Sequence, residues 1–420
     1  LWWMRIKQAV KRGATLIVLN PRSTRLEKFA MHKVRYTLGE EAHILSDFIP
    51  ANLANATLPV RAAAEAFAAA ENAVVFFGSE GLGLEASAEL TRVCAELLVK
   101  TQHFGRPNNG LVGVWPNGNT QGAWDMGFRP LPDLRDLLGN AAVAYIAAAD
   151  PAGDDPELAQ AVDQAGFVVA QELFLTETAR RADVVLPVLA PTEREGSYTS
   201  GERRVQRFNP AVNPLPGARA DYAIAAQLAQ LLGLDLEGRS PAAVIRRIAE
   251  SVRDYAQVDY ARLAETTEQW PIIGRSDLYY GGTSYDNQFG LGVQLPVPQR
   301  FTPEFPSASL SDPLRAKNGT LLAAPFTRLY DRGQTVTPSR LIEKRLAQAE
   351  IFLHPETAGE RGWSEGEPVA LILKGAAVQA VVRLDPDLPQ GAVFIPRSVG
   401  LPIDGLTTLV FESSRSTPHG

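Results

Sequence analysis

Three short stretches carry residue types that could hold a ligand. Asn20-Pro21-Arg22-Ser23-Thr24 follows an apolar run, where Arg22 offers a planar fork of N–H donors and Thr24 a hydroxyl. The same mixture of Asn, Pro and Ser also builds a turn that needs no ligand. Gly78-Ser79-Glu80-Gly81-Leu82-Gly83 follows a second apolar run and opens a helical pattern, the context in which backbone amides can approach a phosphate. The acid that would take a ribose about twenty residues further on is missing. Lys100 to Arg106 occupies that place, so the spacing argues for a tight turn over a nicotinamide site. Glu193, Glu195, Arg203, Arg204 and Arg207 share one Gly-hinged stretch, where the arginines could clamp a phosphate or pair with the acids beside them.

Other chemistries find little material. The paired carboxylates have no nucleophile or histidine beside them, which argues against general acid–base work. His32, His43, His103, His354 and His419 lack the local spacings of a zinc site, and no metal site is expected. One cysteine, Cys94, excludes an internal disulfide framework and a cysteine-ligated iron–sulfur cluster built from this chain, and fits a reducing compartment. The net charge of -6, without a basic stripe, argues against nucleic-acid binding. No leader sequence and no transmembrane run is visible, so membrane association is expected only through partners. The opening Leu1-Trp2-Trp3-Met4 enters a helical pattern directly and reads as part of something longer.

A chain of 420 residues, 45% apolar and 21% charged, calls for several soluble domains. The pattern predicts a helix over 2–12, a strand over 15–19, helices around 40–53 and 60–70, a strand over 74–77 and a helix to about Lys100. A Gly- and Asn-rich loop, 105–127, closes this first lobe. A second alternation follows: strand 143–147, helix 156–164, strand 167–170, helix 176–181 and strand 184–186. Val184-Val185-Leu186 reads as a buried strand covered on both faces, feeding a loop of about two dozen polar residues. Helices over 218–232 and 241–255 complete the lobe. The composition over 266–315 reads as an ordered surface connector. The remainder reads as short strands at 318–330, 351–353, 369–373, 378–384 and 392–396 with a brief helix at 356–361, a compact β-barrel. The expected fold is α/β: two doubly wound, Rossmann-like lobes with mainly parallel sheets (1–135 and 136–265), a connector (266–335) and a C-terminal barrel (336–420).

The order TETA (176–179), ADVVLP (182–187), E-x-x-G (193–196), R-x-Q (204–206) and AR-x-DY (218–222) resembles the molybdopterin oxidoreductase family. Two further stretches extend the resemblance over nearly the whole chain: N-x-x-GA-x-DMG at 119–127 and the phrasing of 349–396. Within the family, the chain is most similar to the large peripheral subunit of bacterial NADH:quinone oxidoreductase, respiratory complex I.

That resemblance implies a double-psi barrel at the C-terminus and a groove shaped for molybdopterin guanine dinucleotide. If the pterin is retained, Asn20, Arg22 and Thr24 would hold its guanine end. Gly78, Gly81, Asn117, Gly118, Thr176, Glu177, Thr178 and Arg203 would line the rest. In the respiratory subunit the pterin is generally lost, and the alternative reading of 105–127 is a structural loop anchored by Trp115 and Trp124. The resemblance further implies that iron–sulfur clusters and any metal-ligating side chain belong to sequence upstream of Leu1, with no cofactor expected here. The chain alone would then be non-catalytic scaffold among other peripheral-arm subunits, at the cytoplasmic face of the bacterial inner membrane. The alternative is a piece of a true, formate dehydrogenase-like molybdopterin enzyme.

Overall fold

The computed structural model describes residues 2–78, 81–106, 108–115, 117–131, 133–263, 292–296, 310–317, 319–330, 340–373, 375–397, 399–403 and 405–411. Most of the expected connector, and His419, lie outside these residues. The chain forms two compact units, one of residues 1–111, 151–160 and 301–420, the other of 112–150 and 161–300.

The first unit opens with the helix Trp2–Lys11, whose Trp2 ring stands edge-on to Phe76 at 4.9 Å. Strand β1 (Ile17–Leu19) pairs in parallel with β2 (His32–Val34). The helices Leu58–Ala68 and Leu84–Lys100 turn Val60, Ala63, Ala64, Val93, Cys94 and Leu97 into a common core with Phe48. Apolar residues three and four apart put that stripe on one face of each helix. β3 (Val74–Phe77) and β4 (Gly110–Gly113) form a separate two-stranded sheet.

In the second unit β5 (Ala144–Ala147), β6 (Val168–Glu172) and β7 (Val184–Pro187) form a parallel sheet with β6 in the middle. This corrects the expectation for Val184 to Leu186. They do form a strand, but β7 lies at this sheet's edge, Val184 is 39% exposed, and Val185 and Leu186 are half-buried. The burial falls on β6, where Val168 and Ala170 are each 2% exposed. A run of branched apolar residues announces a strand but not its place in the order, which depends on what the neighbouring segments do.

The polar stretch after Pro187 is not loop throughout. β8 (Gly196–Thr199) and β9 (Arg204–Phe208) make an antiparallel hairpin, with β10 (Val293–Gln294) against the far side of β9. In β9 only Val205 is fully buried, so its Arg and Gln residues masked a half-buried strand. The expected loop 105–127 likewise contains β4 and a helix, Thr120–Asp125.

The barrel consists of β11 (Leu321–Phe326), β12 (Glu350–Leu353), β13 (Pro368–Leu373), β14 (Ala376–Leu384), β15 (Ala392–Pro396) and β16 (Thr407–Phe411). It closes in the order β11-β15-β12-β14-β13-β16. Alternate residues point inward, as in β13, where Val369, Leu371 and Leu373 join Ile351, Leu353, Val382, Val393, Ile395 and Leu409 in one core. The sequence pattern located five of these strands and missed β16, whose Thr407-Thr408 start hid it. Parallel β1–β2 and β5–β6–β7 with a closed barrel make this a mixed α/β protein.

Candidate functional site

The turn after β1 is held by its own side chains. Asn20 Oδ1 accepts the Arg22 amide at 3.0 Å, and Arg35 donates to Asn20 O at 3.2 Å and to Ser23 Oγ at 3.2 Å. Glu27 accepts the Thr24 amide at 2.9 Å and pairs with Arg35 at 2.6 Å. Hydrogen bonding to Arg35 holds the Glu27 carboxyl below its ordinary range. The Ser23 amide donates to Asp387 O at 3.2 Å. Two groups are left over: Thr24 Oγ1 is buried with no hydrogen-bond partner, and no bond among the described residues engages the half-buried Arg22 guanidinium. A hydroxyl and a fork of donors at the carboxyl end of a parallel strand suit an anionic ligand.

Gly81, in contrast, is a packing residue. A Cβ there would come within 3.3 Å of Ala324 in β11, and Gly81 O accepts the Leu406 amide. Gly78 and Gly83 are exposed, and Gly83, with nothing near its Cβ position, precedes the helix Leu84–Lys100.

In the second unit the carboxyl edge of the parallel sheet gathers acids. Glu172 ends β6, is 6% exposed and accepts the Leu173 amide at 2.7 Å. Burial raises its carboxyl above the ordinary value of 4.5, and Asp150 and Asp221 add to the rise. Gln171 donates to Asp221 at 2.8 Å and accepts from the Tyr145 hydroxyl, and Arg194 pairs with Asp221. Ala148, just past β5, adopts a left-handed φ of 51° that an alanine takes only under constraint. Thr176 caps the helix Glu177–Arg181, accepting the Ala179 amide at 3.1 Å. Thr178 is fully buried, and its amide donates to Asp150 at 2.8 Å. Glu177 lies at the surface with Arg180. An acid already fills the place at that helix where a phosphate would sit. This edge is therefore acceptor-rich and suits the N–H edge of a base over an anion. Sequence reasoning named the threonines and missed Asp150, Gln171, Glu172 and Asp221. The signal available for Asp150, Gln171 and Glu172 was the rule that ligands gather at the carboxyl ends of parallel strands, applied to the end of β6 and the segment after β5.

The charged residues of the hairpin are engaged within the protein. Both Glu193 oxygens accept loop amides, from Ala190 at 2.9 Å and Leu215 at 3.1 Å. Glu195 pairs with Arg207 at 2.6 Å, and Arg207 lies over the Tyr260 ring at 4.6 Å. Arg203, with a left-handed φ of 61°, sends its guanidinium to Asp254 at 2.5 Å. Arg204 occupies the next position, at the start of β9.

Asn119, Gly122, Asp125, Met126 and Gly127 of the N-x-x-GA-x-DMG run each have a structural assignment. Asn119 Oδ1 accepts the Thr199 amide at 2.8 Å. A Cβ on Gly122 would lie 2.3 Å from that same oxygen, which explains the glycine. Asp125 accepts from Tyr255 Oη at 3.1 Å and from Gln121 Nε2 at 2.8 Å. Met126 packs on the cluster of Val205, Tyr255 and Val258. Gly127, at φ 92°, closes the helix with bonds from its own amide to Trp124 O and from the Phe128 amide to Ala123 O. Asn119, Asp125 and Met126 anchor the run together with Trp115, whose ring lies against Gly113 and Gly201 and whose Nε1 donates to Gln121 Oε1 at 3.4 Å, while Trp124 is 44% exposed. Asn117 and Gly118 sit on the exposed rim.

His103 is 1% exposed and bridges Thr101 and Ala70 O at 2.8 Å each. His354 accepts the Glu356 amide at the start of the helix Pro355–Arg361. Cys94 is buried, and desolvation pushes its thiol up to about 12. No group of His, Cys, Asp or Glu that could hold a metal occurs among the described residues, and none of the helices there is long and apolar enough to cross a membrane.

Comparison with known proteins bears on what these arrangements serve. A Staphylococcus haemolyticus protein provisionally named a formate dehydrogenase is 25% identical over 376 residues, covering 79% of this chain and 37% of the relative. A Staphylococcus aureus protein of the same provisional name is 26% identical over the same span and coverage. The chain therefore spans little more than a third of the length of these relatives. Acetylene hydratase from Pelobacter acetylenicus matches with a TM-score of 0.63 over 94% of this chain and 68% of that one. At 16% identity, that likeness speaks for the fold alone. The model of the family described as molybdopterin oxidoreductase matches residues 3–231, more than half of the 420, and on that match the chain belongs to the molybdopterin oxidoreductase family.

Proposed function

We propose that this chain is a cofactor-binding portion of a molybdopterin-dependent oxidoreductase of the formate dehydrogenase kind. The observation that carries the reading is the turn after β1, where, among the described residues, the buried Thr24 hydroxyl has no hydrogen-bond partner and no bond engages the Arg22 guanidinium. Thr24 also serves as the N-cap of the short helix Arg25–Lys28, in a capping box with Glu27, so the uncommitted Arg22 carries most of the weight. In this reading Arg22 and Thr24 take phosphate and sugar oxygens. The barrel is read as the double-psi domain of the family, supported by the parallel pairs β11–β15 and β12–β14 within an otherwise antiparallel closure. When bound, the pterin dinucleotide supplies the redox chemistry through the metal it carries; the residues here bind and orient it.

The scaffold reading, a respiratory NADH:quinone oxidoreductase subunit that has lost its pterin, has less support. The relatives compared above carry formate dehydrogenase names, and the two uncommitted groups at the β1 turn favour retention. The test is to oxidise the protein purified from its host and quantify released pterin by fluorescence. At least one equivalent per chain is expected, and none would return the chain to scaffold. Arg22→Ala should lower pterin content about tenfold or more at an unchanged melting temperature, since a charged hydrogen bond contributes roughly 1.5–3 kcal/mol.

A further inference from the structure

The hairpin turn from Ser200 to Arg204 is clamped from three sides within the second unit. Asn119 Oδ1 holds the Thr199 amide at 2.8 Å, and the Thr199 hydroxyl meets Tyr255 Oη at 2.7 Å. Tyr255 is 2% exposed and also donates to Asp125 at 3.1 Å, so a single hydroxyl joins the Thr120–Asp125 helix to the hairpin. Desolvation pushes the Tyr255 phenol up to about 12, which keeps that donor in place at any physiological pH. On the next residue, Asp254 holds the Arg203 guanidinium at 2.5 Å. On the third side a Cβ at Gly201 would sit 2.6 Å from Gly113 O, so the turn lies directly on that backbone. A surface turn that only reverses the chain needs none of this. Fixing a turn by one part-buried and one buried bond from residues 80 and 56 positions away, on two other elements, is how a protein holds a ligand-facing loop to within a fraction of an ångström.

We infer that Asn119, Asp125 and Tyr255 are positioning residues. They hold the β8–β9 turn, and with it Arg204 and Gln206 of the R-x-Q element, in the one placement that a bound pterin dinucleotide requires. The glycine-rich run 117–127 acts on the ligand through this clamp. The ligand half of the inference rests on the proposed function; the clamp itself does not.

Two readouts on the full protein separate these parts. In Asn119→Ala and Tyr255→Phe, hydrogen exchange of the Thr199 and Arg204 amides should speed up about tenfold or more, while core amides of β6 stay protected. Unchanged exchange in both variants would overturn the clamp. Pterin content per folded chain should fall several-fold in both variants at a melting temperature close to wild type, and Asn119→Asp, which keeps the Oδ acceptor, should restore it. Faster exchange with full pterin retention would overturn the positioning role. A wild-type protein without pterin would instead defeat the proposed function, and the exchange result would still decide the clamp. If Tyr255→Phe fails to fold, Asn119→Ala, which removes the clamp's acceptor at an exposed position, carries the same comparison.

Discussion

Glu172 is a buried acid whose chemistry is altered by its surroundings. It ends the central strand of a parallel sheet, almost out of solvent, with Asp150 and Asp221 nearby. Its carboxyl is held above the value of 4.5 that it has in the unfolded chain. A raised carboxyl binds its proton more tightly in the folded state, so the charged form opposes folding. That opposition is absent below the unfolded value and grows as pH rises through it, until the folded group has itself ionised. Glu172→Gln keeps the Oε1 acceptor for the Leu173 amide and removes the charge. In pterin-free protein it should therefore melt higher than wild type at neutral pH, with the gap closing as pH falls towards about 4. Melting curves across that range check this; a gap independent of pH would mean that the charge is not what matters. Arg35 and Glu27 show the opposite sign, since the pair lowers the Glu27 carboxyl and its contribution is lost on acidification.

At the scale of the element, the order β5-β6-β7 decides which substitution is severe. Ala170, 2% exposed and flanked by Ile146 and Val185, has no route to water. Ala170→Asp should cost several kcal/mol and unfold the unit, because a buried unpaired charge is among the largest single penalties. Val185→Asp, half-buried on the edge strand, should cost no more than about 1–2 kcal/mol. Urea midpoints for the two variants test the sheet order directly; equal losses would place β7 in the interior. Much of this was legible beforehand, because VVLP, AYIA and VVAQE all announce strands by continuous apolar or branched composition. The rank of the three was not legible, since all are similarly apolar and only the pairing separates the middle from the edge.

On the scale of the whole molecule, the first unit is assembled from both ends of the chain. Leu38 shares a cluster with Leu322, Ala324, Leu388 and Phe394, and Ser23 and Gly81 bond to Asp387 and Leu406. The barrel is thus part of what holds the β1 turn, and with it Arg22 and Thr24. A chain ending at Arg300 should lose amide protection across the first 111 residues while β6 in the second unit stays protected, since uncovering these side chains forfeits several kcal/mol. Protection retained in both units by that shortened chain would show the barrel to be an independent module.

By itself the sequence determined the mixed α/β class, the family, the strands β1, β3, β5 to β7 and β11 to β15 and the longer helices, because each of these is written in local periodicity, turn residues and short motifs. It also placed the glycines of 117–127, without their reason. Only the tertiary structure decided that β6 and not β7 is central, that Glu172, Asp150 and Asp221 meet at one edge, and that Asn119 and Tyr255 reach across 80 and 56 residues to one turn. The physical reason is common to all three. Burial and hydrogen-bond partnership are properties of pairs of segments, and no local pattern in either segment encodes the other.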